Sequence, residues 1–230
     1  AGVTAPALTI RAVEGIPEIN PGDDLAGIIA TAAAAEPGGL LDGDVVVVTQ
    51  KVVSKAEDRL VPVDPDDPLD HKRLVEAETV RVLRRRGDLV ISETAHGFVC
   101  ANAVELFYPA DDTSAGRLRD GLRARAGVEV AVIVSDTFGR PWRRGLTDVA
   151  IGSAGIGPIL DHRGQHDTQG RELQVTEVAV VDELAAAADL VLGKATGNPV
   201  AVIRGVDPSW FRPGEVRREL VRPPAEDLFR

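Results

Sequence analysis

Residues 131–144 read AVIVSDTFGRPWRR, and this stretch decides how the centre of the fold is built. Four apolar residues, three of them β-branched, predict a buried strand that runs into Ser135, Asp136 and Thr137. A carboxylate and a hydroxyl at the end of a buried strand can hold a hard metal ion through oxygen ligands. Arg140 and two further arginines could bind phosphate or carboxylate groups. The pattern is compatible with nucleotide-driven chemistry, and a strand that ends in an Asp-Thr turn followed by solvated arginines would explain the same residues equally well.

Further strands and helices flank this central strand in the sequence. A run of four valines at 45–48 predicts a second buried strand. Because several strands are separated by short turns and no strict βαβ order appears, we expect an α+β fold with mixed, largely antiparallel sheets and flanking helices. Other strands are predicted at 7–13, 88–94, 104–109, 171–181 and 199–205, and helices at about 24–35, 70–86, 112–126 and 182–192.

The composition is that of an ordinary globular chain with an acidic bias. Of the 230 residues, 44% are hydrophobic and 27% are charged, and the net charge is −10. The negative charge argues against a general nucleic-acid binder and against binding to an anionic membrane surface. No apolar run approaches the roughly 18 residues of a membrane span. The single cysteine, Cys100, cannot form an internal disulfide, which favours a cytoplasmic protein.

Three other segments could contact a phosphate group, although the sequence contains no Walker-type P-loop. Gln50, Lys51 and Lys55 follow the valine strand, where lysines could neutralise phosphate charge or could simply be solvated. Residues 192–198, LGKATGN, join a helix to a strand and could offer backbone amides, or could only end the helix at a glycine. Residues 152–157, GSAGIG, resemble a glycine-rich phosphate loop only loosely.

Histidines provide a weaker set of candidates. His162 and His166 stand between two aspartates in DHRGQHD, which suggests a zinc site or, together with Asp136, a metal-dependent phosphate hydrolase. Gly164 between the histidines opposes a helical pair, and no third strong ligand is adjacent. His96 could be a catalytic base or a structural residue at the end of a strand.

Several long segments occur in the order expected of one known family. They include GIPEINPGDDL, DGDVVVVTQKVVSKAEDR, ISETAHGFVCANA, SDTFGRPWRRG and DLVLGKATGNPVAVIRG. On these segments the chain resembles the coenzyme F-420:gamma-glutamyl ligase family, and it is most similar to the N-terminal ligase domain of the bifunctional actinobacterial enzyme. We therefore expect a ligase domain over 1–206 and a C-terminal tail or linker over 207–230. A reductase-like domain would follow in the full-length protein.

This resemblance implies a GTP-dependent ligase with a gamma-glutamyl ligase-like fold of two intertwined subdomains. Such ligases join L-glutamate to the deazaflavin precursor F-420-0 through an acyl phosphate, and then add further glutamates through gamma-linkages. They use Mg²⁺ or Mn²⁺, are helped by K⁺, and work as homodimers. The resemblance thus implies GTP, a divalent metal ion and K⁺, with F-420-0 and L-glutamate as substrates.

The resemblance also implies roles for individual residues by matching position. Asp136 and Thr137 would be metal ligands, and Asp136 and Lys55 would act in catalysis. From its charge and position, Arg140, or one of the two arginines after it, would hold the acidic tail or the incoming glutamate. The nucleotide would be bound by Ile16, Pro17, Glu18, Ile19, Gln50, Lys51, Lys55, Leu192, Gly193, Lys194, Ala195, Thr196, Gly197 and Asn198.

Two departures from the family pattern bear on activity. Lys194 stands where some family members carry a glutamine near the metal, and since a lysine cannot bind the cation, the resemblance implies one metal ion fewer at that site. The ANA segment that ends at Ala103 is normally followed by a sequence like GVDxSN, whose aspartate is a further metal ligand, whereas here Val104 follows directly. If the natural protein contains that segment, the chain is part of an active ligase. If the segment is truly deleted, we expect a catalytically impaired module that binds GTP or the deazaflavin and serves in dimerisation.

Overall fold

The computed structural model describes residues 6–62, 64, 66–67, 70–87, 89–94, 97–101, 110–140 and 142–227, and within them the predicted α+β class is confirmed. The helices are α1 (Leu25–Ala34), α2 (Gln50–Ala56), α3 (His71–Glu78), α4 (Asp112–Ala126), α5 (Val180–Leu192) and α6 (Val216–Glu219). The strands are β1 (Thr9–Ala12), β2 (Val45–Thr49), β3 (Thr79–Arg86), β4 (Leu89–Thr94), β5 (Val99–Ala101), β6 (Ala131–Gly139), β7 (Leu146–Ala154), β8 (Leu160–Asp161), β9 (Glu177–Val178) and β10 (Val200–Arg204). The predicted strand at 104–109, His96 and the Ala103–Val104 junction lie outside the described residues.

The core is built on both faces of a five-stranded sheet in the order β1-β10-β2-β6-β7. Strands β2 and β6 run parallel, and the other three pairs are antiparallel. Val46 and Val48 face a cluster formed with α1 and α4, whereas Val45 and Val47 face a cluster formed with α5. Burial on both faces explains why the two central strands are continuous apolar runs rather than alternating ones.

The predicted helix over 70–86 is wrong in its second half. The helix ends at Glu78, and β3 begins at Thr79 in a separate three-stranded sheet of order β3-β4-β5. The β-branched residues of TVRVLRRR pair with β4, so cross-strand hydrogen bonds replace the helical ones. The three consecutive arginines 84–86 therefore lie exposed on an edge strand instead of at a helix end.

Three other boundaries differ from the sequence-based predictions. Gln50 begins helix α2 directly after β2, so the QKVVSKA segment is helical rather than an emerging strand end. Of the predicted strand at 171–181, Glu177–Val178 forms strand β9, and α5 begins at Val180, two residues before the predicted cap. Strand β7 was not predicted, since its LTDVAIGSA sequence mixes glycine and polar residues with the apolar ones.

Glycine-rich residues 152–157 serve packing, because the start of α4 lies directly on β7. A Cβ at Gly152 would overlap the backbone carbonyl group of Asp111, which caps α4. The Asp112 carboxylate accepts backbone hydrogen bonds of 2.9 Å from Ser153 in β7 and from Val216 in α6. The tail after residue 206 is thereby attached to the main sheet. Among the described residues, no helix has the length and apolar character needed to cross a membrane.

Candidate active site

The chain segments that the sequence predicted to bind phosphate or metal lie together at one edge of the five-stranded sheet, where β2 ends. In the parallel pair, Thr49 at the end of β2 lies beside Ser135 in β6, so both strands continue toward the same edge. Because β10 is antiparallel to both β2 and β1, the loop before β10 and the loop after β1 reach that edge too. The Thr49 amide donates to the Pro199 carbonyl over 2.9 Å, which fixes two of these segments together. Crevices at the carboxyl ends of parallel strands are common ligand sites.

These segments surround a cavity of about 510 Å³. Of the predicted nucleotide residues, twelve line it, and so do both predicted metal ligands; Ala195 and Thr196 do not. The Thr196 hydroxyl instead donates to the Leu192 carbonyl and shapes the loop from within. The lining residues that the sequence predicted are Ile16, Pro17, Glu18, Ile19, Gln50, Lys51, Lys55, Asp136, Thr137, Leu192, Gly193, Lys194, Gly197 and Asn198.

A larger cavity, of about 940 Å³, lies at the start of α4 against the C-terminal tail. Two of the arginines that line it, Arg212 and Arg218, already form ion pairs with Glu219 and Glu215. We place the candidate site in the 510 Å³ cavity, since only there do the strand-end carboxylates and lysines of the described residues converge.

At the floor of the cavity, the buried carboxylate of Asp148 organises its neighbours. Asp148 is 3% exposed and faces Thr137 across the β6–β7 pair. One of its oxygens accepts from the Ser135 hydroxyl over 3.1 Å, and the other accepts from the Thr137 hydroxyl over 2.7 Å. Asp148 was missed in the sequence because its strand was not predicted; the antiparallel register that follows from a β6–β7 hairpin would have identified it.

Lys194 reaches the same group of oxygens from the loop after α5. Its Nζ lies 2.9 Å from Asp148 Oδ1, 2.9 Å from Asp189 Oδ1 and 2.6 Å from Thr137 Oγ1. Partial burial acts to lower the pKa of Lys194, but the hydrogen bonds to Asp148 and Asp189 outweigh it and raise that pKa above its ordinary value. The cavity therefore contains a charged ammonium group at neutral pH.

A second lysine lies across the cavity on helix α2. Lys55 forms an ion pair with Glu18 from the loop after β1. Gln50, at the start of the same helix, is 4% exposed, and its amide donates to the Ser54 hydroxyl over 3.4 Å. The sequence had assigned Gln50 to solvent at a strand end; the helix turns it inward instead. Lys51 is exposed at the rim.

Asp136 could bind a divalent metal ion, but the side chains around it would supply few further protein ligands. It lies on β6 in the cavity wall, and its Oδ1 accepts from the Thr137 amide over 2.8 Å. Mg²⁺ commonly takes one or two protein carboxylates and completes its shell with phosphates and water. The hydroxyl of Thr137 is already bonded to both Asp148 and Lys194. Within the described ranges no group of three His, Cys, Asp or Glu side chains could hold a metal by itself.

Other predicted residues lie outside the cavity. The Arg140 guanidinium donates to the carbonyls of Arg144, over 2.8 Å, and Gly145, over 3.4 Å, so it braces the loop between β6 and β7. Neither His162 nor His166 lines the cavity that holds Asp136, and His162 Nδ1 lies 3.1 Å from the Gln165 amide oxygen. The arrangement gives no support to the hydrolase hypothesis.

Comparisons with known proteins identify the family of this chain. The family model described as F420-0:Gamma-glutamyl ligase matches residues 15–205. The chain is 41% identical to the coenzyme F420:L-glutamate ligase of Methanothermobacter thermautotrophicus, over 97% of this chain and 99% of the relative. It is 39% identical to the enzyme of the same name from Methanopyrus kandleri, over 98% of both chains. These matches do not bear on the bifunctional parent or its reductase half, which stay predictions. The chain belongs to the F420-0:gamma-glutamyl ligase family.

Proposed function

We propose that this chain joins L-glutamate to coenzyme F420-0 at the expense of GTP, in the cavity at the edge of the five-stranded sheet. The observation that carries the proposal is the convergence of four separate chain segments, all containing predicted nucleotide residues or metal ligands, on one cavity. The names of the related proteins, coenzyme F420:L-glutamate ligase, support the choice of substrates.

The proposed reaction has two steps. A carboxylate oxygen of the F420 substrate attacks the γ-phosphorus of GTP, GDP leaves, and an acyl phosphate forms. The amine of L-glutamate then attacks the acyl carbon, inorganic phosphate leaves, and the amine loses a proton as the amide forms. Lys55, whose ammonium group lines the cavity from helix α2, offsets part of the negative charge of the transferring phosphoryl group.

A divalent ion, Mg²⁺ or Mn²⁺, is part of the proposal, with Asp136 as its protein carboxylate ligand. When bound, such an ion polarises phosphoryl oxygens and neutralises their charge. K⁺ and a homodimeric assembly also belong to the proposal; the mass of the particle in solution, measured by light scattering with and without KCl, tests the assembly.

The direct test is mass spectrometry of F420-0 incubated with the protein, GTP, Mn²⁺ and L-glutamate. We expect mass to be added in steps of one glutamate residue, with GDP formed in equal amount. GTP binding without any added mass would contradict the ligase proposal. That outcome would favour the alternative of a binding and dimerisation module.

One observation bears on the choice between the ligase and the alternative module. The alignment with the Methanothermobacter relative extends over 249 positions, although this chain has 230 residues, so the relative contains residues without a counterpart here. Sequencing the parent gene across Ala103 and Val104 distinguishes the two: a continuous gene favours the module, and extra codons at the junction favour the ligase.

Replacing Lys55 by methionine should lower kcat/KM for GTP by about 10- to 100-fold, because it removes one positive charge from the phosphate side of the cavity. Lys55→Arg should recover part of the loss. The matched control is Lys72→Met, on α3 away from the cavity, which should behave like the wild type in the same steady-state assay. Equal kinetics for Lys55→Met and Lys72→Met would remove Lys55 from the proposed site.

A further inference from the structure

We propose that the Lys194 ammonium group is a built-in cation that occupies a three-oxygen site at the floor of the cavity and keeps a metal ion out of it. The oxygens belong to Thr137, Asp148 and Asp189, at 2.6, 2.9 and 2.9 Å from Nζ. The role of this site in catalysis rests on the proposed function, whereas the binding of the ammonium group or of a metal ion by the three oxygens does not.

The number of bonds fits an ammonium ion. A lysine ammonium has three N–H donors, and three oxygen acceptors lie within hydrogen-bond distance of it. The Thr137 hydroxyl gives its own proton to Asp148, which turns an oxygen lone pair toward Nζ. A divalent ion would need the same oxygens at about 2.0 to 2.6 Å, so it could not bind Thr137 while the ammonium group is there.

The three oxygens belong to separate elements and do not depend on Lys194 for their positions, although the lysine side chain itself is 56% exposed. Asp148 is buried in β7, and the Ser135 hydroxyl fixes its other oxygen. Asp189 belongs to the last turn of α5, and Lys194 follows that helix in the next loop. The two carboxylates carry two negative charges against one ammonium charge, so removing the lysine would leave an anionic oxygen cage suited to a hard divalent cation.

This arrangement changes which cation neutralises the carboxylates at the floor of the cavity. A metal ion held by Thr137 would have to be recruited from solution, whereas the lysine is covalently tethered and is present in every molecule. Asp136, next along β6, lies in the cavity wall and is the ligand proposed for a separate divalent ion. The inference is that this chain uses one metal ion fewer than its oxygen ligands would allow.

The test is the number of Mn²⁺ ions bound per chain, measured by electron paramagnetic resonance with Mn²⁺ alone and no nucleotide. We expect Lys194→Met to bind one more Mn²⁺ than the wild type, and Lys194→Met/Asp189→Asn to lose that extra ion. Lys194→Arg should keep the wild-type number. Lys55→Met is the matched control: it also removes a cavity lysine, but leaves a single, largely exposed carboxylate, Glu18, and should gain no ion.

An equal number of Mn²⁺ ions in the wild type and in folded Lys194→Met would overturn the inference. A second variant covers the case in which Lys194→Met does not fold, as judged by circular dichroism. Thr137→Val in the wild-type background should leave Mn²⁺ affinity unchanged, because Thr137 is not a ligand there; a tenfold loss of affinity would show that it is. Neither measurement involves GTP or ligation, so failure of the proposed function would not affect them.

Discussion

Asp136→Asn should slow glutamate addition by at least about 100-fold while the chain keeps its fold. Removal of one group that stabilises transition-state charge typically costs two to three orders of magnitude in rate. In the proposal, Asp136 is the protein carboxylate that binds the divalent ion, and it lies on β6 in the cavity wall. Asparagine has nearly the same shape but no charge, so the β6–β7 pairing should survive. The measurement is the rate of mass gain by F420-0, together with the midpoint of thermal unfolding.

The matched control for this substitution is Asp161→Asn. Asp161 also lies on a strand, β8, but its partner is the exposed Arg163, whose hydrogen bonds hold the pKa of Asp161 at about 2. Because this pair is on the surface and away from the cavity, its loss should leave the ligation rate within about twofold of the wild type. If Asp136→Asn retained the rate seen in Asp161→Asn, the metal role assigned to Asp136 would be refuted.

The parts of the fold that could be predicted are those with a strong local signal. The two central strands are long β-branched runs, and burial on both faces requires such runs. Helix α4 begins at the predicted place because the Asp111 carboxylate accepts from the amides of Thr113 and Ser114. In the candidate site, Asp136 could be identified for the same reason, because it follows the apolar residues of the central strand after a single serine.

The parts that could not be predicted depend on contacts between distant segments. Thr79–Arg86 is helical by spacing, but pairing with β4 makes it a strand. Asp148 acquires its importance only when β7 turns back along β6 and brings its carboxylate to Thr137. Lys194 forms ion pairs with both Asp148 and Asp189 because α5 packs on the same sheet as β7. No local sequence pattern predicts these side-chain contacts, because each partner is an ordinary polar residue in its own segment.

Gly152→Ala should lower the free energy of unfolding by about 3 kcal/mol, at the upper end of what overpacking a well-filled site costs. The added Cβ would overlap the carbonyl group of Asp111 and lie 2.7 Å from the backbone nitrogen of Asp112. These are backbone atoms at the capped start of α4, so no side chain can rotate to make room. For a chain of this length we expect the unfolding midpoint to fall by about 6 to 12 °C.

The same substitution at Gly116 should act in the opposite direction. Gly116 lies within α4, where a Cβ would meet nothing within 4 Å, so alanine should stabilise the helix by about 0.5 to 1 kcal/mol. Thermal unfolding of both variants measures the two effects side by side. A Gly152→Ala midpoint equal to that of Gly116→Ala would mean that α4 does not rest on β7 as described. Because Asp148 lies on the same strand as Gly152, a shift of β7 should also weaken its hydrogen bond with Thr137, and Gly152→Ala should then lose ligation rate that Gly116→Ala retains.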